Sequence, residues 1–284
     1  MSPSPKSVVL DLLSTMRGGA LPVRALVAAA ALFGISENSL RVALARLRAS
    51  GMVSSDQPGL YRLGARAEAV NRLATSWRSI DRTLRTWSGG WIAVVGGEGA
   101  RGTQRSGRAL AFLGFRNLRQ DLALRPDNLA GGISAAIQRL AELGLDPSAD
   151  VFGLHDLAPA TARRATRLWD TGSIRQGYQR TVAELERSER ALAALPRERA
   201  MAESFLLGGR AIRQLVLDPR LPDSLVPAAE RRALVDTLLR YDRAGRQRWA
   251  SFLREMGAEP GDTPAHIRFT GDEIPAADEL PGVP

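Results

Sequence analysis

Three short helical patterns followed by a predicted β-hairpin constrain the N-terminal part of the chain more than any other feature. Apolar residues recur at helical spacing in 7–16, 23–34 and 36–51, and glycine ends each pattern. Residues 51–64 then predict two short strands around the turn Asp56-Gln57-Pro58-Gly59. Three helices followed by a hairpin is the order of elements in a winged helix-turn-helix domain.

The third pattern, SENSLRVALARLRASG, predicts a capped helix with one apolar face. Ser36 is of the N-cap type, because its hydroxyl can accept a hydrogen bond from the first turn. At about 100° per residue, Leu40, Leu44 and Leu47 share one side of the helix. We expect these three leucines to be buried.

The opposite side of this helix is predicted to carry small, uncharged residues, with arginine at its edges. Small side chains let a helix approach base edges closely, and guanidinium groups can reach guanine or phosphate. The first turn also offers free backbone N–H groups to a phosphate. We therefore predict DNA contacts from Ser36, Asn38, Ser39, Arg41, Val42, Ala45 and Arg46, and from Arg62 in the hairpin.

The distribution of charge agrees with this interpretation. The chain of 284 residues has a formal charge of +9. Residues 1–66 contain eight positive and three negative side chains, and their net charge is more than half of the excess positive charge of the whole chain. A basic surface of this kind suits phosphates. The alternative is a helical domain with ordinary surface arginines, in a chain where Lys6 is the single lysine.

The periodicity changes after residue 88 and predicts a small mixed domain. The pattern gives a strand at 91–97, a helix at 108–117, one or two strands within 118–126, a helix at 127–145 and a strand at 149–157. The order β-α-β(β)-α-β suggests a ferredoxin-like domain, and the fold class is α+β.

The remaining segments are predicted to be helical, apart from a loose tail rich in proline and glycine. The predicted helices span residues 159–170, 173–195, 197–217 and 227–256. The predicted domains are a winged helix-turn-helix at 1–66, a connector helix at 67–88, a ferredoxin-like domain at 89–158, a helical domain at 159–256 and a tail at 257–284.

Three stretches resemble the PaaX family of bacterial transcriptional repressors. SENSLRVALARLRASGMV followed by GLYRLG is similar to the winged-helix part of that family. WSGGWIAVV and LGFRNLRQDLALRPDN are similar to its middle domain, which is Cas2-like, and AIRQLVLDPRLPDSLVP is similar to its C-terminal helical domain. The resemblance covers roughly residues 5–256.

The resemblance implies a homodimer that binds a partly palindromic operator in double-stranded DNA. It further implies release from DNA by an acyl-CoA, phenylacetyl-CoA in the founding case. Such a ligand needs cations for its phosphates and an apolar slot for its acyl group. Candidates for these two roles are Arg210, Arg213, Arg220, Trp169 and Tyr178. The alternative is that these residues are surface arginines and core aromatics.

The sequence argues against an enzyme. A Cas2-like nuclease would need a carboxylate near the end of the first strand, to hold a divalent ion. The strand WIAVVGG contains none, and Glu98 lies just beyond it in a glycine-rich loop. The loop GGEGARG lacks the spacing of known phosphate-binding motifs. With no cysteine and two distant histidines, we expect no metal site and no cofactor.

Two further expectations concern partners and location. A purely architectural nucleic-acid-binding protein would show the same basic charge, because phosphate contacts give affinity without sequence information. The apolar stretch 25–33 is too short for a bilayer, which needs about 20 apolar residues. We expect a cytoplasmic protein that does not bind membranes.

Overall fold

The computed structural model describes residues 3–14, 20–64, 67, 80, 83–96 and 104–258. Helices and two antiparallel sheets occur together, which confirms the predicted α+β class. The described residues form two compact units. The first contains the described parts of Met1–Trp77, Thr181–Val216 and Leu234–Glu273, and the second those of Arg78–Arg180 and Leu217–Ala233. The domain boundaries expected from the sequence stay a prediction.

Short helices and a small sheet alternate in the N-terminal part of the first unit. The elements are α1 Pro5–Ser14, β1 Ala20–Pro22, α2 Val23–Ala31, α3 Glu37–Ala49, β2 Val53–Gln57 and β3 Leu60–Leu63. The helices lie close to the predicted bounds. The sequence did not predict β1, which pairs with β3 and turns the expected hairpin into a three-stranded antiparallel sheet of order β1-β3-β2. Three residues are too few for strand alternation to be visible.

Local chemistry explains where α1 and α2 begin and end. The Ser4 hydroxyl accepts a hydrogen bond from the Ser7 N–H group at 3.1 Å, and Pro5 occupies the first helical position. Gly34 follows α2 with a φ of 71°, a conformation that other residues rarely adopt. The chain can therefore turn sharply between α2 and α3.

The three N-terminal helices bury their apolar faces against one another. The fully buried side chains of this core include Val8, Val9, Leu13, Leu26 and Leu40. Helix α1 packs against both α2 and α3. This contact fixes which side of α3 faces inward.

Helices from the C-terminal half of the chain complete this core within the first unit. Met201, Trp249 and Leu253 belong to the same hydrophobic cluster as the N-terminal helices. The ring of Phe33 lies 5.0 Å from that of Phe205, which in turn lies 6.0 Å from Trp249. The N-terminal helices therefore depend on residues more than a hundred positions away for part of their core.

A four-stranded sheet with two helices organises the second unit. Its elements are β4 Trp91–Val95, α4 Gln104–Phe112, β5 Arg116–Arg119, β6 Leu122–Pro126, α5 Gly132–Leu143 and β7 Asp150–Leu154. All neighbouring strands are antiparallel, and their order is β5-β6-β4-β7. This succession of elements agrees with the predicted β-α-β-β-α-β pattern. Strand β4 is central and its apolar side chains are buried, as a continuous apolar run predicts.

Gly114 explains one wrong boundary in the prediction. The expected helix at 108–117 ends at Phe112, and residues 116–119 form β5 instead. Gly114 has a φ of 80°, and a Cβ atom there would lie 2.7 Å from the carbonyl oxygen of Pro219. The position needs glycine for its conformation and for its close contact, so the helix stops there.

The remaining regular elements of the described chain are helices. The helices are α6 Pro159–Thr166, α7 Thr171–Leu192, α8 Arg197–Val216 and α9 Ala228–Glu255, close to the predicted ranges. Asp170 caps α7, since its carboxylate accepts hydrogen bonds from the Ser173 hydroxyl and N–H groups, and these bonds lower the pKa of Asp170. Helices α7 and α9 each contribute residues to both units.

Two predicted segments fall largely outside the described residues. They are the connector helix at 67–88 and the tail at 257–284. The prediction is wrong for the described end of the connector, because residues 83–88 are not α-helical and Leu84 forms an antiparallel bridge with Leu129 instead. Within the described ranges, no helix combines the length and the apolar character that a membrane span requires.

We predict that Met201→Ala lowers the free energy of unfolding by about 2–5 kcal/mol, because it leaves a cavity in a core that α8 shares with the N-terminal helices. The same change should reduce hydrogen-exchange protection in α1 and α3. Chemical denaturation and hydrogen exchange measure the two effects.

Leu206→Ala is the matched control, because Leu206 lies on the same helix and is 36% exposed. Its effect should stay within about 0.5 kcal/mol. Unchanged exchange in α1 and α3 of the Met201 variant would contradict a shared core.

Candidate nucleic-acid interface

Helix α3 begins at a well-formed cap. The Ser36 hydroxyl accepts a hydrogen bond from the Ser39 N–H group at 3.3 Å and donates one to the Ser39 hydroxyl at 2.9 Å. Glu37 lies in the first turn, where a carboxylate complements the helix dipole. Both serines are exposed, so the N-terminus of the helix is accessible.

The two sides of α3 differ sharply in burial. Leu40, Leu44 and Leu47 are at most 2% exposed, as predicted. Asn38, Val42, Ala45 and Ala49 on the opposite side are all exposed, and Val42 has 45% of its surface accessible. The structure therefore leaves the predicted side open. We call these four residues the open face of α3.

Arginines lie beside the open face. The Arg41 guanidinium binds the Glu37 carboxylate, with 2.6 Å between Nη2 and Oε1, and both side chains are more than half exposed. Exposed pairs of this kind contribute about 1 kcal/mol or less, so a phosphate can displace Glu37 at little cost. Arg46 and Arg48 are exposed in the last turn of the helix.

The small sheet presents Arg62 next to a tight turn. Strands β2 and β3 meet at Pro58 and Gly59, and Gly59 has a φ of 77°. Arg62 lies on β3, the central strand of the sheet, and its guanidinium lies 3.0 Å from the Asp56 carboxylate. Both side chains are close to half exposed. As with Arg41, an exposed acid holds the arginine.

Two of the candidate effector residues are buried aromatics of the second unit. Trp169 donates from its indole nitrogen to the Gly114 carbonyl at 3.2 Å and stacks on Trp91 with ring centroids 6.3 Å apart. Tyr178 donates to the Asp218 carboxylate. Burial, together with the charge of Asp218, raises the pKa of Tyr178, so its hydroxyl keeps the proton that it donates.

The three candidate effector arginines lie in different places. Arg220 is buried in the second unit, and burial lowers the pKa of its guanidinium group to about 10. The backbone N–H group of Arg220 donates a hydrogen bond to the Asp218 carboxylate at 2.6 Å. Arg210 and Arg213 are exposed on α8, in the first unit. Arg210 pairs loosely with Glu184 at 3.5 Å. Within the second unit, the structure thus brings Tyr178 and Arg220 to the same carboxylate of Asp218.

No sequence pattern indicates Arg125, which is the most buried of the described arginines in the second unit. It is 1% exposed and donates to the carbonyl groups of Leu113 and Pro126 and to the side chain of Asn128. Asn128 then donates to the Arg220 carbonyl at 2.8 Å. An arginine within a strand pattern such as LALRP reads as an interruption, and no local signal marks it as a core residue.

The described residues contain no group of three or more histidine, cysteine, aspartate or glutamate side chains that could hold a metal ion. Glu98, the carboxylate that a nuclease interpretation would require, lies outside the described residues. The described side chains therefore give that interpretation no further support.

Comparison with known proteins agrees with this architecture. The chain is similar to a solved structure titled "Uncharacterized protein Rv0674 from Mycobacterium tuberculosis", with a TM-score of 0.56 and 26% sequence identity. The match covers 86% of this chain and 98% of that chain. No curated protein matches the chain.

Family models identify both ends of the chain. Residues 4–67 match the model described as PaaX-like protein, and residues 169–251 match the model described as PaaX-like protein C-terminal domain. The first match contains α1 to α3 and the small sheet, and the second contains α7, α8 and most of α9. The chain therefore belongs to the PaaX-like family.

Proposed function

We propose that the protein is a sequence-specific transcriptional regulator that inserts α3 into the major groove of DNA. The observation that carries this proposal is the open face of α3, which is accessible, low in bulk and edged by Arg41 and Arg46. In this proposal, residues 1–66 form a winged helix-turn-helix domain. Membership in the PaaX-like family supports the same assignment.

The open face has the chemistry of a base-reading surface. Asn38 can bind adenine through both of its polar atoms, and an exposed Val42 can contact a thymine methyl group. Ala45 and Ala49 leave room for the backbone to approach the base edges. Val42 is 45% exposed, and an apolar side chain gains nothing from water at such a site. A thymine methyl group in the major groove would give Val42 an apolar partner.

The arginines beside this face divide into two roles. Arg46 reads a guanine edge or a nearby phosphate. Arg41 exchanges Glu37 for DNA, because the exposed ion pair between them is weak. The N–H groups of the first turn, next to Ser36 and Ser39, bind a phosphate at the start of the helix.

The small sheet acts as the wing in this arrangement. Arg62 leaves Asp56 and binds the phosphate backbone beside the groove. Phosphate contacts fix the position of a protein on the duplex without reading its sequence. The wing therefore contributes affinity, and α3 contributes discrimination.

Two-fold symmetry completes the proposal. As a homodimer, the protein would place one α3 in each half of a partly palindromic operator, with the two half-sites about 34 Å apart or a multiple of that distance. The second unit would be a ferredoxin-like domain, which its strand order β5-β6-β4-β7 supports. An acyl-CoA such as phenylacetyl-CoA would release the repressor from DNA, through residues near Trp169, Tyr178 and Arg220.

The specificity ratio separates this function from architectural binding. At fixed salt, the protein should prefer the DNA upstream of its own gene over random duplex by roughly 10³ or more. Equal affinity for both would favour a protein that binds phosphates alone. A gel shift with both DNA fragments measures the ratio.

An effector should act in the same assay. Addition of the cognate aryl-CoA or acyl-CoA thioester should release the upstream fragment, whereas free coenzyme A should leave it bound. A panel of thioesters that leaves the complex intact at every concentration would contradict release by this class of effector.

We predict that Arg46→Ala weakens binding to the upstream fragment by about 1–3 kcal/mol and flattens the preference at one base pair. Binding to a library of single-base variants measures both effects. Arg187→Ala removes an exposed arginine from α7 and serves as the control. If Arg46→Ala and Arg187→Ala behave alike, α3 does not read bases through Arg46.

Arg62→Ala should have a different signature. It should weaken binding to specific and random duplexes alike and reduce the slope of log K against log salt by about one. Titrations at several salt concentrations give the slope. A change at a single base pair, with the slope unchanged, would assign Arg62 to base recognition instead.

A further inference from the structure

Three buried arginines and one half-buried arginine of the second unit form a cluster that the proposed DNA contacts do not use. They are Arg125 on β6, Arg139 on α5, Arg220 after α8 and Arg231 on α9. Arg125, Arg220 and Arg231 are at most 9% exposed. We call these four residues the arginine cluster.

Like charges influence one another within this cluster. Burial lowers the pKa of Arg220 most strongly, Asp218 raises it, and the charges of Arg139 and Arg231 lower it further. Burial likewise lowers the pKa of Arg125 to about 9, and Arg220 and Arg139 add to that effect against Asp127. The positive charges of these arginines therefore act against one another.

Each of the two nearby carboxylates, Asp218 and Asp127, is bound by another group, although Oδ1 of Asp127 is buried and makes no hydrogen bond. Asp218 accepts the Tyr178 hydroxyl on one oxygen and the Arg220 N–H group on the other. Asp127 pairs with Arg85 at 2.5 Å. Neither carboxylate is dedicated to the side chains of Arg139 or Arg231 in these contacts.

Two donors of the cluster are buried without a partner. Nη1 of Arg139 and Nε of Arg231 are inaccessible and make no hydrogen bond. Arg125, by contrast, uses all three of its side-chain nitrogens on Leu113, Pro126 and Asn128. Arg231 donates through Nη1 to the Leu221 carbonyl at 3.4 Å, so its guanidinium is satisfied only in part. A buried unsatisfied donor is costly, and a bound ligand is one way in which a native fold satisfies it.

The backbone at the centre of the cluster is also unusual. Arg220 has a φ of 55°, which residues other than glycine rarely adopt. The hydrogen bond from its N–H group to Asp218 holds this conformation. Strained residues of this kind concentrate at ligand-binding sites.

We propose that Arg139, Arg220 and Arg231 form a binding site for an oxyanion, either a phosphate group or a carboxylate of a small molecule. Arg139 and Arg231 supply the unused donors, and Arg220 supplies charge at the centre. Arg125 holds the cluster together through Asn128 and does not contact the anion. The site shares Arg220 with the effector residues of the proposed function and therefore rests on that part of it, but it stands or falls separately from the DNA interface.

Thermal unfolding of the full-length protein tests this site. Inorganic phosphate and acetate are titrated separately at constant ionic strength and pH 7, with chloride as the balancing anion. The proposal predicts a saturable rise of the unfolding midpoint with one of the two anions, because a ligand that binds only the folded state stabilises it. The anion that acts identifies the ligand chemistry.

Arg139→Met and Arg231→Met should abolish this rise. Each should also unfold in chloride at the same temperature as the unchanged protein or higher, because one repelling cation has been removed. Arg164→Met, at an exposed position on α6, is the matched control and should keep the rise. The control variant also shows how much of the rise comes from the general stabilisation that phosphate gives by its exclusion from protein surfaces.

Three results would overturn the proposal. The first is a midpoint that neither anion raises above its value in chloride. The second is a rise that persists in both cluster variants. The third is a lower midpoint in chloride for both variants with no anion dependence, which would make the cluster purely structural. Should either variant fail to fold, calorimetric titration of the unchanged protein with phosphate and acetate decides, and absence of binding refutes the site.

Discussion

Burial of the leucine stripe on α3 is the contact on which the rest of this account depends. Leu40, Leu44 and Leu47 pack into the core of the N-terminal helices and set the rotation of α3 about its own axis. A helix has about 3.6 residues per turn, so fixing one side also fixes the other. Asn38, Val42 and Ala45 face outward for the same physical reason that the leucines face inward.

The core that holds this stripe extends into the C-terminal half of the chain. Phe33, Phe205 and Trp249 form a continuous aromatic contact, and Met201 completes the same cluster. A change in α8 or α9 can therefore alter the packing behind α3. This arrangement offers a direct physical link between the C-terminal helices and the orientation of the open face.

Sequence patterns predicted most of the elements and the open face, because both depend on local periodicity. The spacing of the leucines and the cap at Ser36 are visible within a dozen residues, and the structure places them as expected. Strand β1 and the early end of α4 were missed. Both depend on distant partners, since Ala20–Pro22 pairs with β3 and Gly114 packs against Pro219.

The second unit shows where sequence reasoning ends. Trp169, Tyr178 and Arg220 were selected by residue type, and the structure buries all three. Arg125 and Arg139 carried no local signal, because their importance comes from burial and from charges contributed by separate elements. Asp218 belongs to the same group, since its two oxygens bind Tyr178 and Arg220 only in the folded chain.

Site-directed cleavage of DNA tests the central claim most directly. The chain contains no cysteine, so a single Ala49→Cys change allows an iron chelate to be attached at the end of the open face. Ala191→Cys, at an exposed position near the end of α7, gives the control probe. If α3 enters the major groove, the probe at residue 49 cuts bound DNA within one short stretch of nucleotides in each half-site, and the control probe does not. Cleavage no stronger than that of the control, from protein that remains bound, would show that α3 does not lie in the groove.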